Sequence, residues 1–186
     1  MSYRSTVDLD RARLDGIVDA ITERLPGDWL LVGGALVALW LEPRRTTEDV
    51  DILGLGGTVE ERMSLMSLAA ELGLPVEALN SAADFFVRRI AGWRDELELF
   101  RQGARGRVYR PTVTLFVLLK IERLSERDLA DCLAALGRAR AESLRFDPGR
   151  VLAALAALPT AADPDLTRRR IELRDAIAPA TPGSSA

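Results

Sequence analysis

The sequence predicts an α+β protein in which short strands alternate with helices up to about residue 110 and helices alone follow. Two observations carry this. Up to residue 110, apolar residues recur at two-residue spacing in short runs bounded by glycine or proline, and at three- and four-residue spacing in longer ones. After Pro111 only the helical spacing persists, in segments rich in Ala and Leu. The 186 residues, 48% hydrophobic and 28% charged, are the size and mixture of one soluble domain, or one domain with a small appendage.

In chain order, Val7, Leu9, Leu14, Val18, Ile21 and Leu25 predict an amphipathic helix over residues 6–25, closed by Pro26-Gly27. Residues 29–32 are a short apolar strand, Gly33-Gly34 a turn, and the apolar segment that follows a helix stopped by Pro43. A polar loop, 44–48, leads to Asp49-Val50-Asp51-Ile52-Leu53, whose alternation predicts a strand with one acidic and one apolar face. A glycine turn at 54–57, a helix over 59–72 and a strand over 74–79 come next, and residues 82–90 fit either helix or strand. Residues 96–100 alternate again and pair antiparallel with 107–109 across the RQGARG loop. Helices over 112–124, 126–141, 148–158 and 165–177 then pack against one another to bury their leucines. The chain divides into 1–110, 111–178 and a frayed polar tail, 179–186.

Composition narrows the chemistry. With no histidine and one cysteine, a Cys/His zinc site, a Ser-His-Asp triad, a Cys-His pair and a disulfide framework are all excluded. Any metal must be hard and oxygen-bound, and proton transfer must use Asp, Glu, Lys, Tyr or water. Cys132 reads as a small core residue on a helix. No apolar run reaches the roughly 18 residues of a membrane span, and the polar opening lacks a signal-peptide core, so the expectation is a cytoplasmic protein.

Asp49 and Asp51, two apart on a strand, project to one face within reach of a shared cation; read alone, they are either a metal site or a solvated strand edge. Upstream, Gly33-Gly34 joins a strand to a helix, where missing side chains let backbone N–H groups approach an anion. The stretch LVGGALVALWLEPRRTTEDVDIL, with a glycine pair, a helix and Arg-x-Thr-x-Asp-hydrophobic-Asp at Gly33, Gly34, Arg45, Thr47, Asp49 and Asp51, resembles the polymerase-beta-like nucleotidyltransferase superfamily. Within it, the stretch is similar to the minimal bacterial AbiEii/AbiGii toxin-like branch. Gly34 stands where that superfamily often has serine.

The resemblance continues in LLKIERLSERDLADCLAAL, where a helical lysine and an R-D-x-x-D pattern fall on Lys120, Arg127, Asp128 and Asp131. Of 25 basic residues Lys120 is the one lysine. Read without the family, Lys120 is a snorkelling side chain paired with Glu122 or an acid of the next helix, and Asp128 and Asp131 are caps or salt-bridge partners.

The resemblance implies a small mixed sheet flanked by helices and followed by a helical bundle. It also implies transfer of a nucleoside monophosphate from a nucleoside triphosphate to a hydroxyl acceptor on RNA, tRNA or protein, in a toxin with a cognate antitoxin. Asp49 and Asp51 hold Mg²⁺ or Mn²⁺ in that expectation. Gly33, Gly34, Arg45, Thr47 and Lys120 bind the nucleotide, and Asp128 or Asp131 holds Lys120 or takes the acceptor's proton. A third carboxylate on a neighbouring strand is assigned first to Glu98, with Glu96 and Glu77 as alternatives, and in the toxin-like branch Asp128 or Asp131 stands in for it. The competing expectations are an antibiotic-modifying nucleotidyltransferase, a nucleotide-binding relative without activity, and a structural bundle whose acids are merely solvated. Seven arginines between Arg88 and Arg110 against three acids, beside Trp93 and Tyr109, read either as a phosphate-binding surface or as a solvated hairpin; Trp29 and Trp40 read as core.

Overall fold

The computed structural model describes residues 8–178, which form an α+β fold of two compact units, one ending at Pro111 and the other starting at Thr112. Residues 179–186, expected to form a frayed tail, lie outside the described residues, as do residues 1–7.

The first unit is a five-stranded mixed sheet of order β3-β2-β1-β5-β4. Its central strand β1 (Gly27–Leu31) pairs antiparallel with β2 (Val50–Gly54) and parallel with β5 (Gly106–Pro111). On the outer sides, β3 (Leu79–Asn80) runs parallel to β2, and β4 (Leu97–Gln102) runs antiparallel to β5 with an irregularity between Leu99 and Arg101. Leu30 and Leu31, like Ile52 and Leu53, are neighbours on a strand and point to opposite faces, and with Val108 all are almost fully buried, so the middle of the sheet is covered on both sides.

Helix α1 (Arg11–Arg24) buries Leu14, Ile17, Val18 and Ile21 and packs on α2, β4 and β5. It starts later than the apolar spacing predicts, because the Asp10 carboxylate caps it by accepting from the Arg13 N–H at 2.9 Å. Leu9, expected inside that helix, instead forms a two-way backbone bridge with Thr47 (2.8 and 3.2 Å). Helix α2 (Gly33–Trp40) is apolar from Ala35 to Trp40 and buried over that whole length, so it sits in the core. Helix α3 (Val59–Glu71) opens with a reciprocal capping box between Thr58 and Glu61. The strand expected over 74–79 is for the most part a 3-10 turn, Val76–Ala78, followed by the two residues of β3. The ambiguous 82–90 segment contains a short helix, α4 (Asp84–Arg88). Trp29 and Trp40 are core residues, 1% and 5% exposed.

In the second unit, α5 (Val113–Leu118), α6 (Glu126–Glu142), α7 (Pro148–Ala157) and α8 (Pro164–Ile177) pack together. Each starts at a side-chain cap, Thr112, Ser125, Asp147 and Asp163, and the last two place proline in the first turn, where its missing N–H costs no hydrogen bond. The Asp147 N–H donates to the Thr114 hydroxyl at 2.8 Å, which ties the start of α7 to α5. No described helix is long and apolar enough to cross a membrane.

Candidate functional site

The first unit gathers four of the expected residues, Gly33, Gly34, Thr47 and Asp51, around the start of β2. Antiparallel pairing sets Leu31 opposite Ile52, so the next backbone position, Val32, donates its N–H to the Asp51 carbonyl at 2.9 Å. The chain then turns into α2 through Gly33, whose φ of 66° is left-handed. A Cβ on Gly33 would collide with the Asp51 carboxylate, and one on Gly34 would lie 2.8 Å from the Thr47 hydroxyl. The glycine pair is therefore required twice, by backbone conformation and by contact with the acid strand. The first N–H groups of α2, which no intrahelical carbonyl can reach, stand beside that carboxylate strand.

Asp49 joins them through its neighbours. The Thr47 hydroxyl donates to Asp49 Oδ1 at 3.3 Å, and Thr47 is itself held by the Leu9 backbone bridge. On the other side Asn80 Nδ2 donates to Asp49 Oδ2 at 3.4 Å, while Asn80 Oδ1 accepts from the Ala82 N–H at 3.1 Å. Asn80 faces Asp51 in the β2–β3 register and so shares its side of the sheet. Asn80 lies in a segment, LGLPVEALNSAADFF, that also resembles the toxin-like branch, but the resemblance assigns it no role in the site, because its partner strand is not legible in the sequence. Asp49, Asp51, Thr47, Gly33 and Asn80 are all half-buried, neither sealed in the core nor fully solvated. Arg45 is 9% exposed at its side chain, with Glu42 at 4.0 Å.

Glu98, the first choice for a third carboxylate, is not brought to this cluster. It lies on β4, three strands from β2, which is about 14 Å at ordinary strand spacing, and it forms an ion pair with Arg110. Glu96 is buried in the 3-10 turn before β4, and Glu77 is exposed in the turn before β3. On β3, the strand beside β2, the position level with Asp51 is an amide. Among the described residues no group of three acids or cysteines is close enough to hold a metal. Two carboxylates on one face, open to solvent, still fit Mg²⁺, which is commonly held by one or two carboxylates with phosphate oxygens and water completing its shell.

The second unit gathers Lys120, Asp128 and Asp131. Lys120 follows α5, and its Nζ donates to Asp128 Oδ1 at 3.0 Å and to Asp131 Oδ2 at 2.9 Å. Asp128 and Asp131 are three apart on α6, on one face, and 1% and 4% exposed. Asp128 also accepts from Arg123 Nε (2.7 Å) and Nη2 (2.8 Å), and from the Ser125 N–H (3.1 Å) and hydroxyl (2.7 Å). Burial pushes the Asp128 carboxyl upward, but Arg123, Ser125 and Lys120 overcome it and hold the group well below the usual carboxylate range. A carboxylate so stabilised and so fully engaged is a weak base. The expectation that Asp128 takes a proton therefore loses its support, while holding Lys120 is what its geometry does. Cys132, one turn along α6, is fully buried and burial pushes its thiol up to about 12, which fits a core role.

The arginine-rich stretch is largely consumed inside the first unit. Arg101 bridges Asp15 and Asp19, Arg107 binds Asp28 twice, and Arg110 pairs with Glu98 while stacking 4.4 Å over Trp40. Arg88 binds Asp84 and the Gly54 carbonyl, Arg94 the Leu55 carbonyl, and Arg105 the Arg24 carbonyl. Arg89 lies instead over the exposed Phe85 ring, 5.3 Å from its centroid. No protein-family model matches the chain, and no curated protein or solved structure matches it either.

Proposed function

We propose that this protein is a Mg²⁺- or Mn²⁺-dependent nucleotidyltransferase of the polymerase-beta-like kind, which moves a nucleoside monophosphate from a nucleoside triphosphate to a hydroxyl on RNA. One observation carries the reading. The glycine turn at the start of α2 packs directly on the Asp51 carboxylate and the Thr47 hydroxyl, so an anion-binding turn and a pair of acids form one half-buried cluster.

Asp49 and Asp51 are the residues that would hold the cation. When bound, the metal would neutralise charge on the triphosphate and acidify the attacking hydroxyl. Gly33 and Gly34 leave the backbone N–H groups of the turn uncovered for phosphate oxygens, a close approach that side chains would block. Thr47 and Asn80 grip the two oxygens of Asp49 from opposite sides and orient it without neutralising it, since both donors are uncharged. Arg45 adds a cation close upstream of the acids. Lys120 enters through the resemblance as a further cation for the triphosphate, with Asp128 and Asp131 as the groups that position its ammonium. A cognate antitoxin belongs to the same resemblance.

Thermal unfolding against each ribonucleoside triphosphate, with Mg²⁺ and with EDTA, tests this reading. We expect a shift of several degrees that needs triphosphate, metal and both aspartates, together with pyrophosphate release on adding acceptor RNA. The same shift without pyrophosphate would leave nucleotide binding without transfer. Transfer to an aminoglycoside rather than RNA would select the antibiotic-modifying alternative. No shift with any triphosphate would overturn the proposal.

A further inference from the structure

Phe85 and Phe86 are 64% and 56% exposed, on a short helix that is nevertheless well fixed. Val87 is fully buried beneath it. Arg88 pins it by binding Asp84 at 2.7 Å and the Gly54 carbonyl at the end of β2 at 3.2 Å, with its guanidinium 5.5 Å from the centre of the Trp93 ring. The two phenylalanines are therefore displayed by a pinned helix rather than exposed by fraying. Their centroids are 5.6 Å apart with planes at 81°, and the Arg89 guanidinium covers one of them. Two neighbouring rings held out in solvent by a pinned helix are available to stack on a partner.

Charge and position select the occupant. Six of the seven arginines in the surrounding stretch are bound to protein oxygens, whereas Arg89 is exposed and laid on a solvent-facing aromatic ring. Aromatic rings interleaved with a guanidinium match bases interleaved with phosphates. Rings at right angles, open to solvent, suit successive bases of a strand better than one enclosed mononucleotide. Phe85 is five residues beyond Asn80, which hydrogen-bonds Asp49, so the chain places it no more than roughly 18 Å from Asn80. We propose that Phe85, Phe86 and Arg89 form a stacking surface for the bases of single-stranded RNA. Its role as the acceptor's docking surface rests on the nucleotidyltransferase reading above; its binding does not.

The test is fluorescence anisotropy of a labelled, unstructured RNA oligonucleotide titrated with the full chain in EDTA without triphosphate. Phe85→Ala and Phe86→Ala should each weaken binding between about five- and a hundredfold. Arg89→Ala should weaken it less and lower the salt slope by about 0.7. Thermal shifts with Mg²⁺ and triphosphate on the same proteins separate the two proposals. Ring-dependent RNA binding with an intact triphosphate shift supports the surface and its role. Ring-dependent RNA binding with no triphosphate shift in any protein, wild type included, supports the surface and fails the transfer reading. RNA affinity within twofold of wild type in both ring variants, or no RNA binding by wild type, overturns the surface. A wild-type dimer that Phe86→Ala converts to monomer with RNA affinity unchanged assigns the rings to self-association and overturns it too. Loss of the triphosphate shift in the ring variants with RNA affinity unchanged assigns them to the donor's base, which likewise overturns the RNA surface.

Discussion

Two pairs of aspartates, one in each unit, show how differently the chain can set the same side chain. Asp49 and Asp51 are half-buried on one side of a strand, and the hydrogen bonds to Asp49 come from a hydroxyl and an amide that bring no compensating charge. Asp128 and Asp131 are sealed on one side of a helix, and between them they receive an ammonium, a guanidinium and a capping serine. Two like charges side by side repel, which a divalent cation held between them would relieve. The second pair has its cations built in. Burial alone would point to the deeper pair, a fastener whose charges are met by Lys120 and Arg123; the proposed function assigns the metal to the shallower pair, whose Asp49 is held by uncharged donors.

The sharpest way to break this comparison is to cut the fastener. Asp128→Ala leaves Lys120 with Asp131 but takes away its other carboxylate and the reciprocal cap of Ser125, and breaking into a buried network of this kind costs up to about 3–5 kcal/mol. We expect a loss of that size in urea unfolding of the full chain, and a loss below about 1 kcal/mol would show that the network is not a fastener.

The same network predicts an acid limb. Asp128 has its folded-state pKa depressed relative to about 3.8 in the unfolded chain, so its stabilisation is fully present above that value and is lost as pH falls below it toward the folded one. Unfolding free energy should therefore drop steeply below about pH 4, where the unfolded carboxylate begins to protonate. Asp128→Asn should lower stability at neutral pH and flatten this limb. An unchanged acid limb in Asp128→Asn would assign the acid sensitivity to other carboxylates.

Which of these features the sequence could disclose follows from how local each one is. The strand expected over 49–53 was legible because its pattern lies within one short stretch of chain, although it starts at Val50, after Asp49, and is buried at Leu53 as well as at Val50 and Ile52, so the face that carries Asp51 is not wholly acidic. Three helices of the second unit were legible for the same reason, since Ser125, Asp147 and Asp163 cap them from within a single turn, whereas the one expected over 112–124 ends at Leu118 and leaves Lys120 in a turn rather than on a helix. Glu98 was misplaced because strand order is not local: it sits on an alternating strand, as expected, but three strands from Asp51. The basic stretch misled in the same way, for the acids that absorb Arg101 and Arg107 are Asp15, Asp19 and Asp28, some 80 positions away. Leu9 could have been read correctly, since Asp10 is a strong cap that ends the helix ahead of it. Asn80 needed the β2–β3 pairing, which two residues of strand cannot announce.

Next in size is Gly33→Ala, which tests the first unit as the second was tested. The left-handed backbone alone costs about 1–2 kcal/mol for a residue with a Cβ, and the collision with the Asp51 carboxylate adds to it. We expect at least that loss in stability and, with it, loss of any Mg²⁺-triphosphate stabilisation. Gly27→Ala is the control, because Gly27 has a φ of 97° but nothing within 4 Å of an added Cβ. It should cost comparable backbone strain and leave the nucleotide response intact. Equal nucleotide responses in the two variants would break the link between the glycine turn and the acids.

The smallest expected effect on stability is the most discriminating. Asp51→Asn keeps the shape of the side chain and removes one of two neighbouring negative charges. Its unfolding free energy should stay within about 0.5 kcal/mol of wild type or rise slightly, in contrast to Asp128→Asn. Any stabilisation by Mg²⁺ and triphosphate should vanish at the same time, because an amide carries no charge with which to hold the metal. A residue whose loss leaves the fold intact and removes the ligand response is maintained for something other than folding. If Asp51→Asn were instead as destabilising as Asp128→Asn, the β2 acids would be fasteners too, and the distinction between the two pairs would collapse together with the metal site built on it.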